Sequence, residues 1–153
     1  MGRSGFSTIE MIIVVILIGI VASLGFPRIR TAVQKTNVRS TRVFLAGATA
    51  TARAAAIQRG CRGVVHFTSG AAGTVWVTAC PRMAAGAGTV DTLGAVEQLA
   101  SRYSVTLTAT RDSVQFNPRG LNMDYLMTVV RVQGASVVAS DSTVINQIGK
   151  VVH

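Results

Sequence analysis

Few side chains that could perform catalysis stand at the spacing that catalysis requires. The two histidines, His66 and His153, have no cysteine or carboxylate beside them at metal-ligand spacing. The two cysteines, Cys61 and Cys80, fit neither a metal motif nor a redox motif. The sequence also lacks a glycine-rich phosphate loop and a nucleophile elbow. We therefore expect no catalytic residue, no cofactor and no metal site, and infer that the protein is not an enzyme.

One carboxylate, Glu10, stands at the edge of a long apolar run. The segment from Met11 to Phe26 carries no charged side chain. A carboxylate at the centre of a membrane helix costs about 2.5–3.5 kcal/mol on insertion scales, although near the headgroups the same group costs little. A small residue, Gly5, precedes the run, whereas a secretory signal peptide is cut after its apolar core. Cleavage after Gly5 would therefore leave the apolar helix on the mature protein.

The N-terminus resembles the precursors of the type IV pilin family. Their signature is a short basic leader ending in glycine, then a phenylalanine, small hydroxyl residues, a glutamate and a long apolar helix. The residues that match it in order are Gly5, Phe6, Ser7, Thr8, Ile9 and Glu10. The resemblance implies that a membrane prepilin peptidase cuts between Gly5 and Phe6 and methylates the new amine of Phe6. It also places Gly19 and Pro27 at the family's helix-bending positions.

The same resemblance implies a filament, in which the apolar helices of neighbouring subunits leave the lipid and pack together. In that core the Glu10 carboxylate would meet the positive Phe6 amine of a neighbour. Because an unpaired charge there is heavily penalised, the pairing would set the register between subunits. Gly19 and Pro27 would weaken the helix between them, since proline lacks a backbone donor and glycine costs about 1 kcal/mol relative to alanine.

The apolar run divides the chain into a leader, a helix and a globular part. With the leader that the resemblance implies at residues 1–5, residues 6–60 are expected to form the helix, with a transmembrane anchor at 6–26 and a stem at 27–60. The 21 anchor residues extend about 31 Å as a helix, which is enough to cross the hydrocarbon of a bilayer. Residues 61–153 are expected to form a small antiparallel β-sheet or β-sandwich domain, so the predicted fold class is α+β with one long, pilin-like helix. The expected location is the bacterial inner membrane, crossed once, with the globular domain in the periplasm.

After Gly60 the pattern becomes strand-like, and six to eight short strands are expected. The candidate strands are 64–67, 75–77, 103–110, 113–116, 126–132, 136–139 and 144–151, with 93–101 as either a short helix or an extended edge. The first two strands flank a turn near Ala71 and should form a hairpin. In such a hairpin Cys61 lies opposite Cys80, within disulfide range. Two buried free thiols are the alternative.

The net charge of +9 belongs mainly to the stem. Eight basic and no acidic residues lie between Arg28 and Arg62, whereas residues 63–153 carry six basic and five acidic residues. A basic segment of this kind can bind anionic lipid headgroups, nucleic acid or acidic neighbouring proteins. A helical projection predicts a basic stripe of Arg28, Lys35, Arg39, Arg42 and Arg53, with Val33, Phe44 and Ala55 on roughly the opposite side. We expect the latter side to pack against the globular domain.

Three later segments resemble the GspH/FimT-like minor pilins and pseudopilins. The segment Ala54–Gly60 is similar to the end of their helix, Val114–Gly120 to their strand-and-turn element, and Gly149–Val151 to their glycine-basic-valine ending. The implied function is a minor pilin or pseudopilin, a structural subunit that initiates or tips a type II secretion pseudopilus or a type IV pilus. Its implied partners are the prepilin peptidase, other subunits of the filament and the inner membrane.

Two other functions remain open. A DNA-binding minor pilin of a DNA-uptake machinery would use basic residues to hold phosphates. The exposed globular part is nearly neutral, which predicts only weak DNA binding. An unrelated signal-anchored periplasmic protein is the third alternative, and Glu10 disfavours it because a plain signal anchor has no use for a carboxylate.

The order of Gly5, Phe6 and the apolar run predicts how the mature protein begins. Mass spectrometry of the protein from its host should find an N-terminal methylated Phe6. A mature chain that starts at Met1, or beyond Phe26, would contradict processing of the prepilin type.

Overall fold

The computed structural model describes residues 7–81, 89–124, 127–135 and 139–152. A helix of 52 residues, α1, spans Thr8–Arg59. The elements that follow it in the described chain are β1 (Gly63–Thr68), β2 (Thr74–Ala79), β3 (Asp91–Gln98), α2 (Leu99–Tyr103), β4 (Val105–Ala109), β5 (Ser113–Phe116), β6 (Thr128–Gly134), β7 (Ser140–Ile145) and β8 (Val151–Val152). The chain divides into two compact units, the first ending at Val33 and the second beginning at Gln34.

The strands of the second unit form two four-stranded sheets. The first sheet has the order β3-β2-β1-β5 and the second has the order β4-β6-β7-β8. Every pairing between these strands is antiparallel. The expected hairpin is present, since β1 and β2 pair from Gly63 opposite Ala79 to Thr68 opposite Thr74. A long helix followed by antiparallel sheets confirms the predicted α+β class.

The part of α1 that belongs to the second unit fills the core of that unit. Val38, Leu45, Ala52 and Ala56 of the helix are buried in one apolar cluster with side chains from both sheets. The sheet residues with the largest fully buried side chains include Leu107, Phe116, Val65, Val75, Val130 and Val132. The stem from Gln34 onward is therefore an integral part of this fold.

The side of the stem that is buried differs in part from the side predicted from the positions of Val33, Phe44 and Ala55. Ala55 is buried and Phe44 packs against the core, but the side chain of Val33 is 51% exposed. Two threonines are buried instead, because each hydroxyl donates to a backbone carbonyl one turn earlier. Thr41 Oγ1 bonds to the Asn37 oxygen at 2.9 Å, and Thr49 Oγ1 bonds to the Leu45 oxygen at 2.8 Å.

Two strand predictions were wrong in detail. The segment 144–151, expected as one strand, consists of the end of β7, a turn and β8. The turn forms because Gly149 adopts a left-handed φ of 73° and its N–H donates to the Asn146 oxygen at 2.9 Å. Residues 93–101, expected to be either a helix or an extended edge, are both, since β3 ends at Gln98 and α2 begins at Leu99. The predicted strand at 136–139 lies almost wholly outside the described residues.

Glycine at position 63 allows β1 to lie directly against the stem. A Cβ atom at Gly63 would overlap the carbonyl oxygen of Ala52 and lie 3.2 Å from the Cβ of Ala56. By contrast, a Cβ atom at Gly47, in the same stretch of helix, would have no other atom within 4 Å. The helix backbone therefore occupies the space that a side chain at position 63 would need, whereas the space beside position 47 is open.

Replacing these two glycines by alanine should have opposite effects on stability. We expect Gly63→Ala to lower the free energy of unfolding by about 1–3 kcal/mol, because the new methyl group must push the strand off the helix backbone. Gly47→Ala, the matched control, should raise it by about 1 kcal/mol through helix propensity alone. Urea unfolding of the full chain in detergent, followed by the fluorescence of the single tryptophan, Trp76, measures both. Equal effects from the two variants would contradict the close helix–strand contact.

Candidate functional site: the N-terminal helix

The described part of the helix begins next to the predicted processing site. Gly5 and Phe6 lie outside the described residues, and Ser7 is the first residue that the structure places. The backbone N–H groups of Glu10 and Met11 both donate to the Ser7 carbonyl oxygen, at 3.0 and 3.2 Å. Glu10 therefore occupies the first turn of α1.

This position makes Glu10 a candidate for a local role that the sequence alone did not suggest. Ser7 and Glu10 have the spacing of a capping box, in which a serine and a glutamate three residues later satisfy free N–H groups of the first turn. A carboxylate there is also favoured by the positive end of the helix dipole. In the described chain the Glu10 side chain is exposed and forms no hydrogen bond or ion pair of its own. Helix capping and subunit pairing therefore both need to be tested at this residue.

The anchor presents apolar side chains on all sides. Its large apolar residues, which are 43–71% exposed, are Ile9, Met11, Ile12, Ile13, Val14, Val15, Ile16, Leu17, Ile18, Ile20, Val21, Leu24 and Phe26. By length and composition the helix could cross a membrane, and its most apolar stretch is not buried anywhere in the structure. Water covers such a surface at a high free-energy cost, whereas lipid or other apolar helices cover it favourably.

The predicted bend residues lie within a helix that is continuous in the structure. Pro27 stands inside α1, and without an N–H group it leaves the Ser23 carbonyl oxygen without its usual helical donor. A Cβ atom at Gly19 or at Gly25 would meet no other atom within 4 Å, so within this chain neither glycine is required for packing. Both glycines lower helix stability relative to alanine. Weakening of the helix between Gly19 and Pro27 stays a prediction.

Two of the basic residues of the stem are neutralised within the second unit. Arg42 pairs with Asp141 of β7 at 2.8 Å, and Arg59 pairs with Asp91 of β3 at 3.0 Å. Arg42 is therefore part of the contact between helix and sheet, although the helical projection placed it in an exposed basic stripe. Of the eight basic residues between Arg28 and Arg62, those without an ion pair in the described chain are Arg28, Arg30, Lys35, Arg39, Arg53 and Arg62.

The end of the helix is held by a covalent bond and by Arg59. Gly60 adopts a left-handed φ of 64° and ends α1. Cys61 follows it and forms the expected disulfide with Cys80, with 6.2 Å between the two Cα atoms. Nη1 of Arg59 donates both to the Cys80 carbonyl oxygen and to Asp91. These links attach the C-terminal end of α1 to β3 and to the residue that follows β2.

The side chain of His66 contacts two residues of the neighbouring strand, β2. Its Nε2 atom lies 2.8 Å from Oγ1 of Thr78, and its ring stacks on Trp76 with 4.9 Å between ring centroids. Burial lowers the pKa of the His66 imidazole below its ordinary value. In the described ranges no group of three or more histidine, cysteine, aspartate or glutamate residues could hold a metal ion. His153 lies outside those ranges.

Comparison with known proteins identifies the fold. No protein-family model matches the chain, and no curated protein matches its sequence. Its structure is similar to two crystal structures of the type IV minor pilin FimU from Pseudomonas aeruginosa strain PAO1, in space groups P21 and P65. The TM-scores are 0.58 and 0.55 at 10% sequence identity, over 76% and 74% of this chain and 87% and 90% of the FimU chains. At that identity the similarity shows the fold alone, and the pilin-like fold implied by the N-terminal motif is confirmed.

Proline at position 27 predicts a local weakness that can be measured. We expect Pro27→Ala to slow amide hydrogen exchange between Gly19 and Thr31 about tenfold or more, because it restores a backbone donor and removes a penalty of about 3 kcal/mol. Exchange measured in detergent micelles, with Ala32→Gly as a control in the opposite direction, tests this. Unchanged exchange in Pro27→Ala would contradict a weakened segment.

Proposed function

We propose that the protein is a membrane-anchored structural subunit of a type IV pilin-like filament. The observation that carries this proposal is the uncovered apolar helix with a single carboxylate in its first turn, joined to a globular unit of pilin-like fold. FimU, which shares this fold, is a type IV minor pilin. In this role the chain is a scaffold component and performs no catalysis.

Processing generates the positive group that the assembly step needs. A prepilin peptidase would cut after Gly5 and methylate Phe6, so that the mature chain begins with a cationic amine beside the apolar helix. The domain boundaries that follow are a leader at 1–5, an anchor at 6–26 and a stem at 27–60 before the globular residues 61–153. The anchor would cross the inner membrane once and hold the globular unit in the periplasm.

Glu10 couples assembly to removal from the membrane. In lipid its carboxylate is unfavourable, by about 2.5–3.5 kcal/mol at the centre of a helix. In a filament the same group would face the Phe6 amine of the neighbouring subunit, within the low dielectric of packed apolar helices. Removing one partner from such a buried pair costs about 3–5 kcal/mol, since the other charge is left unpaired. The pair would therefore favour one register between subunits.

The subunit would initiate or tip its filament, which is either a type IV pilus or a type II secretion pseudopilus. The GspH/FimT-like segments and the likeness to a minor pilin support a minor subunit. One structural plan serves both kinds of filament, because each needs an apolar helix for the core and a globular unit for the surface.

Substitution of Glu10 separates helix capping from subunit pairing. Glutamine retains the geometry of a capping box but carries no charge, so Glu10→Gln should reduce incorporation into filaments about tenfold or more while membrane insertion stays intact or improves. Ser7→Ala, the matched control, removes the cap hydroxyl and keeps the carboxylate, and we expect it to assemble. Immunoblots that compare the sheared filament fraction with the membrane fraction measure both variants.

Normal assembly of Glu10→Gln would show that the carboxylate does not set the register. Failure of Ser7→Ala together with normal Glu10→Gln would assign this segment to helix capping alone.

A further inference from the structure

Two turns of the globular unit are built in the same way. In each, an asparagine carbonyl oxygen accepts from the N–H of a glycine three residues later, at 2.8 Å for Asn117 and Gly120 and at 2.9 Å for Asn146 and Gly149. Both glycines have a left-handed φ, 76° and 73°. The asparagine side chains also accept backbone N–H groups, at 3.0 Å from Leu121 to Asn117 and at 2.7 Å from Lys150 to Asn146. Each turn therefore has a defined backbone conformation.

The two turns lie against each other, and the first turn lies against the stem. Nδ2 of Asn122 donates to the Asn146 oxygen at 3.3 Å. A Cβ atom at Gly149 would lie 3.6 Å from the Gly120 carbonyl oxygen. A Cβ atom at Gly120 would lie 2.7 Å from Cδ1 of Ile57 and 3.1 Å from Nε of Arg53. The helix and the two turns thus form one continuous surface, which we call the two-turn surface.

Three large apolar side chains are exposed on this surface. Ile57 of α1 is 52% exposed, Leu121 after the first turn is 44% exposed, and Ile148 within the second turn is 58% exposed. Turn positions normally carry polar residues or glycine, because their side chains face water. Ile148 departs from this composition, and a group of exposed apolar side chains is typical of a surface that another molecule covers.

Three uncompensated cations border the apolar side chains. They belong to Arg53, Arg119 and Lys150, all exposed, and among the described residues none of their charged groups has a hydrogen-bond or ion-pair partner. The paired arginines of the same unit contrast with them, since Arg42, Arg59, Arg102 and Arg111 each contact a carboxylate. Within the described residues no carboxylate neutralises these cations, so a partner molecule that carries carboxylates could do so.

We propose that the two-turn surface docks a different subunit of the filament, one that presents apolar side chains bordered by carboxylates. This inference rests on the proposed function. Protein interfaces combine an apolar centre with a polar rim in which arginine is enriched, and charge complementarity between partners selects the correct one. Ile57, Leu121 and Ile148 supply the centre, and the three cations supply the rim.

A second copy of this chain lacks the carboxylates that the surface requires. Residues 63–153 contain five acidic side chains, all within described ranges. Four of them, Asp91, Glu97, Asp124 and Asp141, already pair with arginines of their own unit. Of the five, only Asp112 has no arginine partner, and one carboxylate can neutralise only one of the three cations of the rim. The complementary partner is therefore a different, more acidic chain.

Nucleic acid fits this surface less well than protein does. A nucleic acid offers phosphates to the three cations, and affinity for it grows with the number of phosphates contacted. A nucleic acid would leave the three exposed aliphatic side chains in contact with water, whereas apolar side chains of a protein partner would bury them. Duplex DNA is therefore an outcome that the experiment must be able to detect.

The test is photo-crosslinking from Ile148 in cells that assemble the filament. A photoreactive phenylalanine replaces Ile148 in the full chain, and mass spectrometry identifies the crosslinked peptide. We expect one other filament subunit, crosslinked next to an acidic residue. Reversing the rim with Arg53→Glu and Arg119→Glu should reduce the crosslink about tenfold or more, and changing the identified acidic residue to lysine should restore it. Arg131→Glu, an exposed cation on β6 and outside the surface, is the matched control and should have no effect.

Several results would overturn the docking proposal. They are a crosslink to a second copy of this chain, a crosslink to DNA that is lost on charge reversal, and a protein crosslink that neither charge reversal nor the lysine change affects. Retention of the Cys61–Cys80 disulfide and of Trp76 fluorescence in each variant verifies that the unit is folded. Methylation of Phe6 and the Glu10 dependence of assembly are measured in the same cells. If Phe6 is methylated and assembly depends on Glu10 but the expected crosslink is absent, the docking proposal alone is wrong. If Phe6 is not methylated and assembly does not depend on Glu10, the proposed function itself is wrong.

Discussion

An apolar helix surface that its own chain does not cover is the constraint on which the rest of this structure depends. From Ile9 to Phe26 the side chains are uncharged except for Glu10, and they face outward on every side. Such a surface is stable only where lipid or other helices replace water. A carboxylate has opposite consequences in those two surroundings, since it is costly in lipid and favourable beside a cationic amine. Under the proposed function, the chemistry of the first turn would therefore favour the filament over the membrane.

Further along the chain, the same helix serves a different physical purpose. From Val38 to Ala56 its small residues and two back-bonded threonines pack against the two sheets, and Gly63 lets a strand approach its backbone. The ion pair of Arg42, the contacts of Arg59 and the disulfide hold this part of the helix to β7, β2 and β3. The globular unit therefore includes the stem, and its stability depends on helix residues that lie before the first strand.

Features set by local pattern were predictable from the sequence, and features set by tertiary contacts were not. The apolar run predicted the long N-terminal helix, and the turn near Ala71 predicted the hairpin register that brings the cysteines into range, since register follows from the turn. Val33 was misplaced because the part of the helix that packs in the core begins after it, and the buried threonines were missed because hydropathy alone ignores hydroxyls that bond to the helix backbone. The residues 144–151 were read as one strand because the turn depends on the Asn146 and Gly149 bonds. The two-turn surface joins segments about 60 and 90 residues from Ile57 in sequence, and no local pattern shows that they meet.

The central claim is that other subunits, and not only lipid, cover the anchor, and a photoreactive residue at Ile16 tests it most directly. Ile16 lies in the middle of the apolar run and is 56% exposed. In sheared filaments we expect it to crosslink to the N-terminal helix of another subunit, whereas in cells that lack the other filament subunits it should form lipid adducts only. Lipid adducts alone in both samples, or absence of the protein from the filaments, would contradict the account.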